Sequence, residues 1–482
     1  MNIIIFLILG FSTTLLFPPY FFLPLGFIIF PILCLFFDYY KKKIKNLSIF
    51  LYSFVFGFGF FFSLLFWIKN PFFIFEETKN FFYVSILLII LLSLIFSIIF
   101  LVFFRFNKKL STIFLIPIIF IFTEFIISIF LYGFPWITFS LIISNNNSLI
   151  IFPKFFGTLV SSYFVLQFFC LPYIFFEENF NYKQLYKFIL LLIPAFLMVL
   201  IFNFLYSSND TNNKVIDLEI VQLNFKNNQI NDYEEKLKTI KNILINSNSE
   251  VLIFAENNYP YLITNTDFIE IQNNLKENQT VIIGATRKDK NNNYYNSLLN
   301  ISHANISYFD KKILVPFGEF LPLRNFLSFF NSISGPNDYT SGKKQRIIKL
   351  NDKLNYIPVI CYEIIFYWKI INSINYNSNL IVNITNDIWF GKFLGPYQHF
   401  YHTKLRAAEF NKTIVRVSNN GVSGIIDYNG QILTTINLNE SSSKKYQLIL
   451  KNNINYYHYH YFLNLYFFAL LIFIIFLNLK KR

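Results

Sequence analysis

The sequence predicts a polytopic helical membrane domain of about eight spans joined to one α/β domain, and three observations carry that expectation. Hydrophobic residues make up 54% of the 482 residues, above the roughly 45–50% of ordinary soluble domains, and the mean hydropathy is +0.45. Seven apolar runs of about span length precede a polar region and one follows it. Between them, from 207 to 456, short β-like runs alternate with polar, helix-like stretches, the pattern of helices covering a sheet.

The apolar runs lie at 3–17, 20–37, 48–68, 81–104, 112–131, 158–176, 188–206 and 460–479. This divides the chain into a seven-span membrane domain over 1–206, a polar domain over 207–456, and a last span with a short basic tail over 457–482. The first run has neither a basic leader nor a small-residue cleavage site, so it reads as a retained span. Twelve basic residues sit in alternate loops and at the C-terminal end: Lys41, Lys42, Lys43, Lys45, Arg105, Lys108, Lys109, Lys183, Lys187, Lys480, Lys481 and Arg482. The intervening short loops hold only Lys69, Lys79 and Lys154. Because cytoplasmic loops are enriched in Lys and Arg, both termini are expected in the cytoplasm and the polar domain on the opposite side, the periplasm of a bacterial inner membrane.

The net charge of +14 divides unevenly: residues 207–456 carry 26 basic and 21 acidic side chains, leaving +5 there and +9 around the spans. That is an orientation signal and argues against a nucleic-acid footprint. Glu124 falls inside the fifth run, where a carboxylate is costly enough to suggest a function, although a hydrogen bond to a neighbouring helix accounts for it equally well.

In the polar domain, strands are expected at 214–223, 251–255, 281–285, 295–301, 356–360, 379–385, 414–418 and 423–427, with helices at 231–247 and 266–276. Three strand-like runs end beside chemically matched residues. Cys361 closes Ile357-Pro-Val-Ile, and neither Cys34 nor Cys170, both inside apolar runs, has a route to it. Glu256 closes Val251-Leu-Ile-Phe-Ala255, where open α/β sheets place working residues. Lys311 leads into the Pro- and Gly-punctuated segment that ends at Glu319. Singly these read as a small buried hydrophobe, a loop carboxylate and a solvated charge. Together they suffice for acyl transfer: the carboxylate takes the thiol proton, the thiolate attacks a carbonyl, and the ammonium with a backbone N–H holds the oxyanion. His399 and His402 share a helical face with Arg406, a pattern of surface or packing more than of a metal site.

Phe254-Ala-Glu256, Lys311 with Pro316-Phe-Gly-Glu319-Phe-Leu-Pro322, and Ile360-Cys-Tyr-Glu363 resemble the Glu-Lys-Cys triad of the nitrilase superfamily. Thr385-Asn-Asp-Ile-Trp-Phe-Gly391, Gly395-Pro-Tyr-Gln-His399, Tyr132-Gly-Phe-Pro-Trp136, Tyr295-Asn-Ser-Leu298, Arg406-Ala-Ala-Glu409 and Ser418-Asn-Asn-Gly-Val422 make the whole chain similar to the bacterial apolipoprotein N-acyltransferase family. The resemblance implies a nitrilase-like αββα sandwich, with Glu256 as general base, Lys311 as oxyanion stabiliser and Cys361 as nucleophile. It implies Glu319, Glu363, Tyr362 and Asn296 as accessory residues, a phospholipid acyl donor, a diacylated apolipoprotein acceptor, and neither cofactor nor metal. Ala255 stands where the family usually has Pro. A membrane-tethered amidase using the same three groups on water would need one span, and a silent scaffold leaves the matched strand ends unexplained. Phe134, Trp136 and the Phe-rich stretch 72–75 are candidates for a water barrier or plain interfacial anchors.

Overall fold

The computed structural model describes residues 2–40, 45–106, 112–130, 132–176, 214–225, 232–264, 269–326, 337–350, 354–374 and 378–450. They fall into two compact units: one is helical, and the other contains the polar region together with Trp67–Phe82.

The helical unit contains α1 (Asn2–Thr13), α2 (Gly26–Tyr40), α3 (Asn46–Leu65), α4 (Tyr83–Phe106), α5 (Thr112–Ile129) and α6 (Ile151–Cys170). Four apolar helical stretches, Asn46–Phe73, Glu76–Arg105, Thr112–Ile129 and Ile151–Phe176, are long and apolar enough to cross a membrane, and α1 and α2 are shorter apolar helices. The runs expected at 188–206 and 460–479 lie outside the described residues. The sixth begins seven residues earlier than its apolar composition suggests, because α6 starts at Ile151 and kinks at Gly157, whose φ of 71° only glycine adopts without strain. Glu124 on α5 is buried and accepts hydrogen bonds from the Thr138 hydroxyl (2.6 Å), the Phe139 N–H (3.1 Å) and the Ser162 hydroxyl on α6 (3.3 Å). The costly carboxylate is thus satisfied by a turn and a neighbouring helix.

The second unit is built on two six-stranded sheets. Its strands are β1 (Lys214–Gln222), β2 (Val251–Phe254), β3 (Thr280–Lys288), β4 (Tyr294–Ser302), β5 (Ile306–Asp310), β6 (Ile348–Lys349), β7 (Asn355–Ile360), β8 (Leu380–Thr385), β9 (Thr413–Ser418), β10 (Ser423–Ile426), β11 (Ile432–Ile436) and β12 (Ser442–Leu450). One sheet has the order β12-β1-β2-β3-β4-β5 and the other β11-β10-β9-β8-β7-β6. At the centre of each run three parallel strands, β1-β2-β3 and β7-β8-β9. Their continuous apolar sequences follow from burial on both faces, as in Leu380-Ile-Val-Asn-Ile-Thr385, where every residue is buried.

The sheets stack through β1 and β2 against β9 and through β4 against β7. Outside the first sheet lies α7 (Tyr233–Asn246), capped by Asp232 accepting from the Glu235 N–H. It places Leu237, Ile240 and Leu244 against Leu252, Phe254 and Val281. Outside the second sheet, α8 (Leu394–Phe410) packs on β9 and β10. The layers are helix, sheet, sheet, helix. Residues 266–268 of the helix expected at 266–276 lie outside the described residues, and the described part forms only a short 3-10 turn, Glu270–Asn274. Ile269 and Ile271 are both buried, and two residues apart on an α-helix they would face opposite sides.

Candidate active site

Glu256, Lys311 and Cys361 issue from three strand ends, and local chemistry sets each in place. Asn257, just after Glu256, has φ 53°, turning the chain so that the carboxylate leaves the line of β2. Gly284 on neighbouring β3 permits this, since a Cβ there would lie 2.5 Å from the Glu256 Cα. Ala255 donates its N–H to the Asn258 side chain at 3.0 Å, a bond that a proline at this position forfeits. Lys311 follows Asp310, whose carboxylate is tied to Arg287 (3.0 and 2.8 Å) and the Ser297 hydroxyl (2.6 Å), and the Lys311 N–H bonds the Asn296 carbonyl. Cys361 sits between β7 and a 3-10 turn with φ 51°. A non-glycine residue held in this left-handed region marks a site that its surroundings over-determine.

The three side chains meet in a buried cluster. Lys311 Nζ lies 2.8 Å from Glu319 Oε1 and 3.7 Å from Glu256 Oε1. Asn296 Nδ2 bridges the two carboxylates, donating to Glu256 Oε1 and Glu319 Oε1 at 2.7 Å each. The other Glu256 oxygen accepts the Asn386 backbone N–H at 2.8 Å, and the Cys361 thiol lies near enough to the Glu256 carboxylate to influence its ionisation. Glu319 Oε2 accepts from the Val315 N–H at 2.8 Å, closing the loop that begins at Lys311.

Burial and charge set the protonation states. Burial pushes the Glu256 carboxyl above its ordinary value, opposed by Lys311 and reinforced by Glu319. Burial also pushes the Cys361 thiol far up, with the Glu256 charge adding to it and Lys311 opposing. For Lys311, burial acts downward, but Glu319 and Glu256 outweigh it and hold the ammonium charged. The resting arrangement is a protonated thiol beside a base of raised affinity for protons, with a fixed positive charge between two carboxylates.

Glu363 stands apart from this cluster and joins two of its supports. Its Oε1 accepts the Lys312 and Ile313 N–H groups at 2.9 and 3.1 Å, and its Oε2 accepts the Ile360 N–H at 2.9 Å. Arg346 holds both oxygens at 2.7 Å. Burial acts to raise the Glu363 pKa, but Arg346 outweighs it and keeps the carboxyl below its ordinary value. The Tyr362 ring is buried against Phe366.

Composition did not reveal a second buried network behind Cys361. Asp387 pairs with Arg416 (2.6 Å) and His399 (2.8 Å), and the His399 imidazole lies close to the Cys361 backbone. Burial and the adjacent Arg416 lower the His399 pKa, so the ring is neutral near pH 7. The available signal was Asp387 at a strand end, in the same pattern as Glu256 and Cys361. No cluster of metal-ligating residues occurs among the described residues.

Residues 9–171 match the apolipoprotein N-acyltransferase N-terminal domain, and residues 220–447 match the carbon-nitrogen hydrolase domain. The apolipoprotein N-acyltransferase of Rickettsia prowazekii is 30% identical over 464 residues, covering 91% of this chain and 90% of that protein. The enzyme of the same name from Wigglesworthia glossinidia brevipalpis is 30% identical with 89% of each chain covered. That of Allorhizobium ampelinum is 35% identical over 202 residues, 39% of this chain and 38% of that protein. With both domain matches in order and two relatives aligned almost end to end, the chain belongs to the apolipoprotein N-acyltransferase family.

Proposed function

We propose that the protein transfers a fatty acyl chain from a phospholipid to the α-amino group of an S-diacylglyceryl cysteine at the N-terminus of an apolipoprotein, through a thioester on Cys361. The observation that carries the mechanism is the buried meeting of Glu256, Lys311 and Cys361, with a 3.7 Å separation between Lys311 and Glu256 and the thiol and carboxylate close enough to shift each other's ionisation. Glu256 takes the thiol proton as the sulfur attacks the ester carbonyl. Lys311 and the Tyr362 N–H stabilise the oxyanion, and the proton passes to the leaving lysophospholipid oxygen. The acceptor amine then attacks the thioester, Glu256 accepts its proton, and Cys361 leaves as the thiol, which makes the kinetics ping-pong.

Glu319 and Asn296 hold the ammonium and the base in register; Glu363 joins the Lys311 and Cys361 segments. The twelve-to-three excess of basic residues in alternate loops and the C-terminal tail supports a multi-pass inner-membrane protein with this site on the periplasmic side. The test supplies phospholipid alone and looks for a fatty acyl mass on Cys361, then adds a diacylated lipopeptide. Transfer to the lipopeptide amine supports the reading. Free fatty acid accumulating beside an unchanged lipopeptide makes the protein a hydrolase.

A further inference from the structure

The segment between α3 and α4, Trp67–Phe82, belongs to the same compact unit as the α/β domain, although more than 300 residues of sequence separate the partners it meets there. The Trp67 indole N–H donates to Gln398 Oε1 on α8 at 3.1 Å, and its ring packs edge-on against Phe390 at 4.9 Å. Asn70 Nδ2 donates to the Phe390 carbonyl at 3.1 Å. The fit is close: a Cβ on Gly391, where φ is +77°, would collide with the Asn70 amide, and one on Gly395 would press on the Trp67 ring. Gly391 therefore serves the approach of this strap, while Gly395 is required first by Phe390 and then by Trp67.

Phe390 ends the 3-10 turn Asp387–Phe390, and the residue that opens that turn is Asn386, whose N–H holds Glu256 Oε2. One side of the turn is fixed from within the sheet by Asp387 on Arg416 and His399. The other side is held by the strap. We infer that Trp67 and Asn70 are positioning residues for Glu256, acting through the 386–395 turn, so that a loop leaving one membrane helix and entering the next sets the aim of the catalytic base. This rests on the proposed role of Glu256. The charged and titratable groups facing that carboxylate are Lys311, Glu319, Cys361 and Tyr339, none of which the strap touches through the bonds given above.

A backbone N–H bond favours the ionised carboxylate, so a turn that slackens weakens the bond and makes Glu256 harder to ionise. Site-resolved alkylation of Cys361 by iodoacetamide, in full-length detergent-solubilised protein across pH, reads this without any assumption about the substrate. The expected result is that Asn70→Ala and Trp67→Phe each move the acid limb of the alkylation profile upward by about half to one pH unit. The double variant should move it by less than the sum, because both act through Phe390. A limb left at the wild-type pH with amplitude lowered equally at all pH values means that the strap only stabilises the fold, and overturns the inference. A Glu256→Gln profile that keeps the wild-type limb overturns it by removing the base assignment itself, an outcome seen in a different variant and so told apart from failure of the strap.

Discussion

At the residue scale the site is one ammonium serving two carboxylates, and their inequality assigns the proposed roles. Glu319 is the closer partner of Lys311, at 2.8 Å against 3.7 Å for Glu256, although each carboxylate has its second oxygen on a backbone N–H, Val315 for Glu319 and Asn386 for Glu256. Glu319 is thereby committed to holding charge, while Glu256 keeps the thiol contact. Glu319→Gln should lower the rate of acyl-enzyme formation by about 30- to 160-fold, from roughly 2–3 kcal/mol for a lost charge-assisted hydrogen bond. Single-turnover mass spectrometry of Cys361 measures it, and near-normal rates would make Glu319 an ordinary loop carboxylate. The pH dependence has a definite sign. A base whose carboxyl is raised by burial works only above that raised value, so the acid limb of activity should lie above the roughly 4.3 of a free glutamate. A limb at or below that value in a pH–rate profile contradicts the assignment.

At the scale of elements, two devices bring separate strand ends to one point. Glu363 gathers the N–H groups of Lys312, Ile313 and Ile360 while paired with buried Arg346, so the segment carrying Lys311 and the strand leading to Cys361 share one anchor. Glu363→Gln leaves the Arg346 charge buried without its counter-ion and should cost about 3–5 kcal/mol of stability, read by thermal or denaturant unfolding. Because the folded-state pKa of Glu363 is depressed, the stability it contributes is present above the ordinary carboxylate pKa and is lost as pH falls toward the lowered value. Wild type should therefore lose more stability on acidification than the variant, and equal losses would deny the linkage. The second device is Gly284, where a methyl group would push β2 away at Glu256. Gly284→Ala should reduce acyl-enzyme formation by more than tenfold through a misplaced base, since displacements of about 1 Å cost on the order of 100-fold. Wild-type turnover in that variant would show that β2 yields without moving the carboxylate.

At the scale of the whole molecule, the excess of basic residues in alternate loops predicts an α/β unit outside the cytoplasm. A reporter fused after residue 210 should be active only when its activity requires export. Activity solely in the cytoplasm would reverse the topology and remove the lipoprotein reading with it. The strap adds that the two units are not strictly successive in sequence: Trp67–Phe82 is spent on the α/β unit before the chain returns to α4. Its aromatic residues divide accordingly, with Phe72 buried and Phe73 and Phe75 exposed, and Phe75 lying 6.4 Å from Trp389.

Much of this was legible from the chain alone, because it follows from local regularities. Apolar runs of span length, basic loops in alternation and the buried parallel strands announce themselves by composition and period. The strand ends after Ala255 and Ile360 pointed to two of the three side chains that the fold brings together. What the chain could not disclose is whatever depends on partners distant in sequence. The expected strands stop at 423–427, whereas β12 adds a further strand paired antiparallel with β1, more than 200 residues earlier in the chain. The tie from Glu363 to Arg346, the Asp387–His399–Arg416 support and the Trp67 strap are contacts between charges, rings and amides that no period encodes. Hydrophobic pattern records which face is buried, and that is a property of each segment. Which group satisfies a buried carboxylate is a property of the packed whole, and only the tertiary structure decides it.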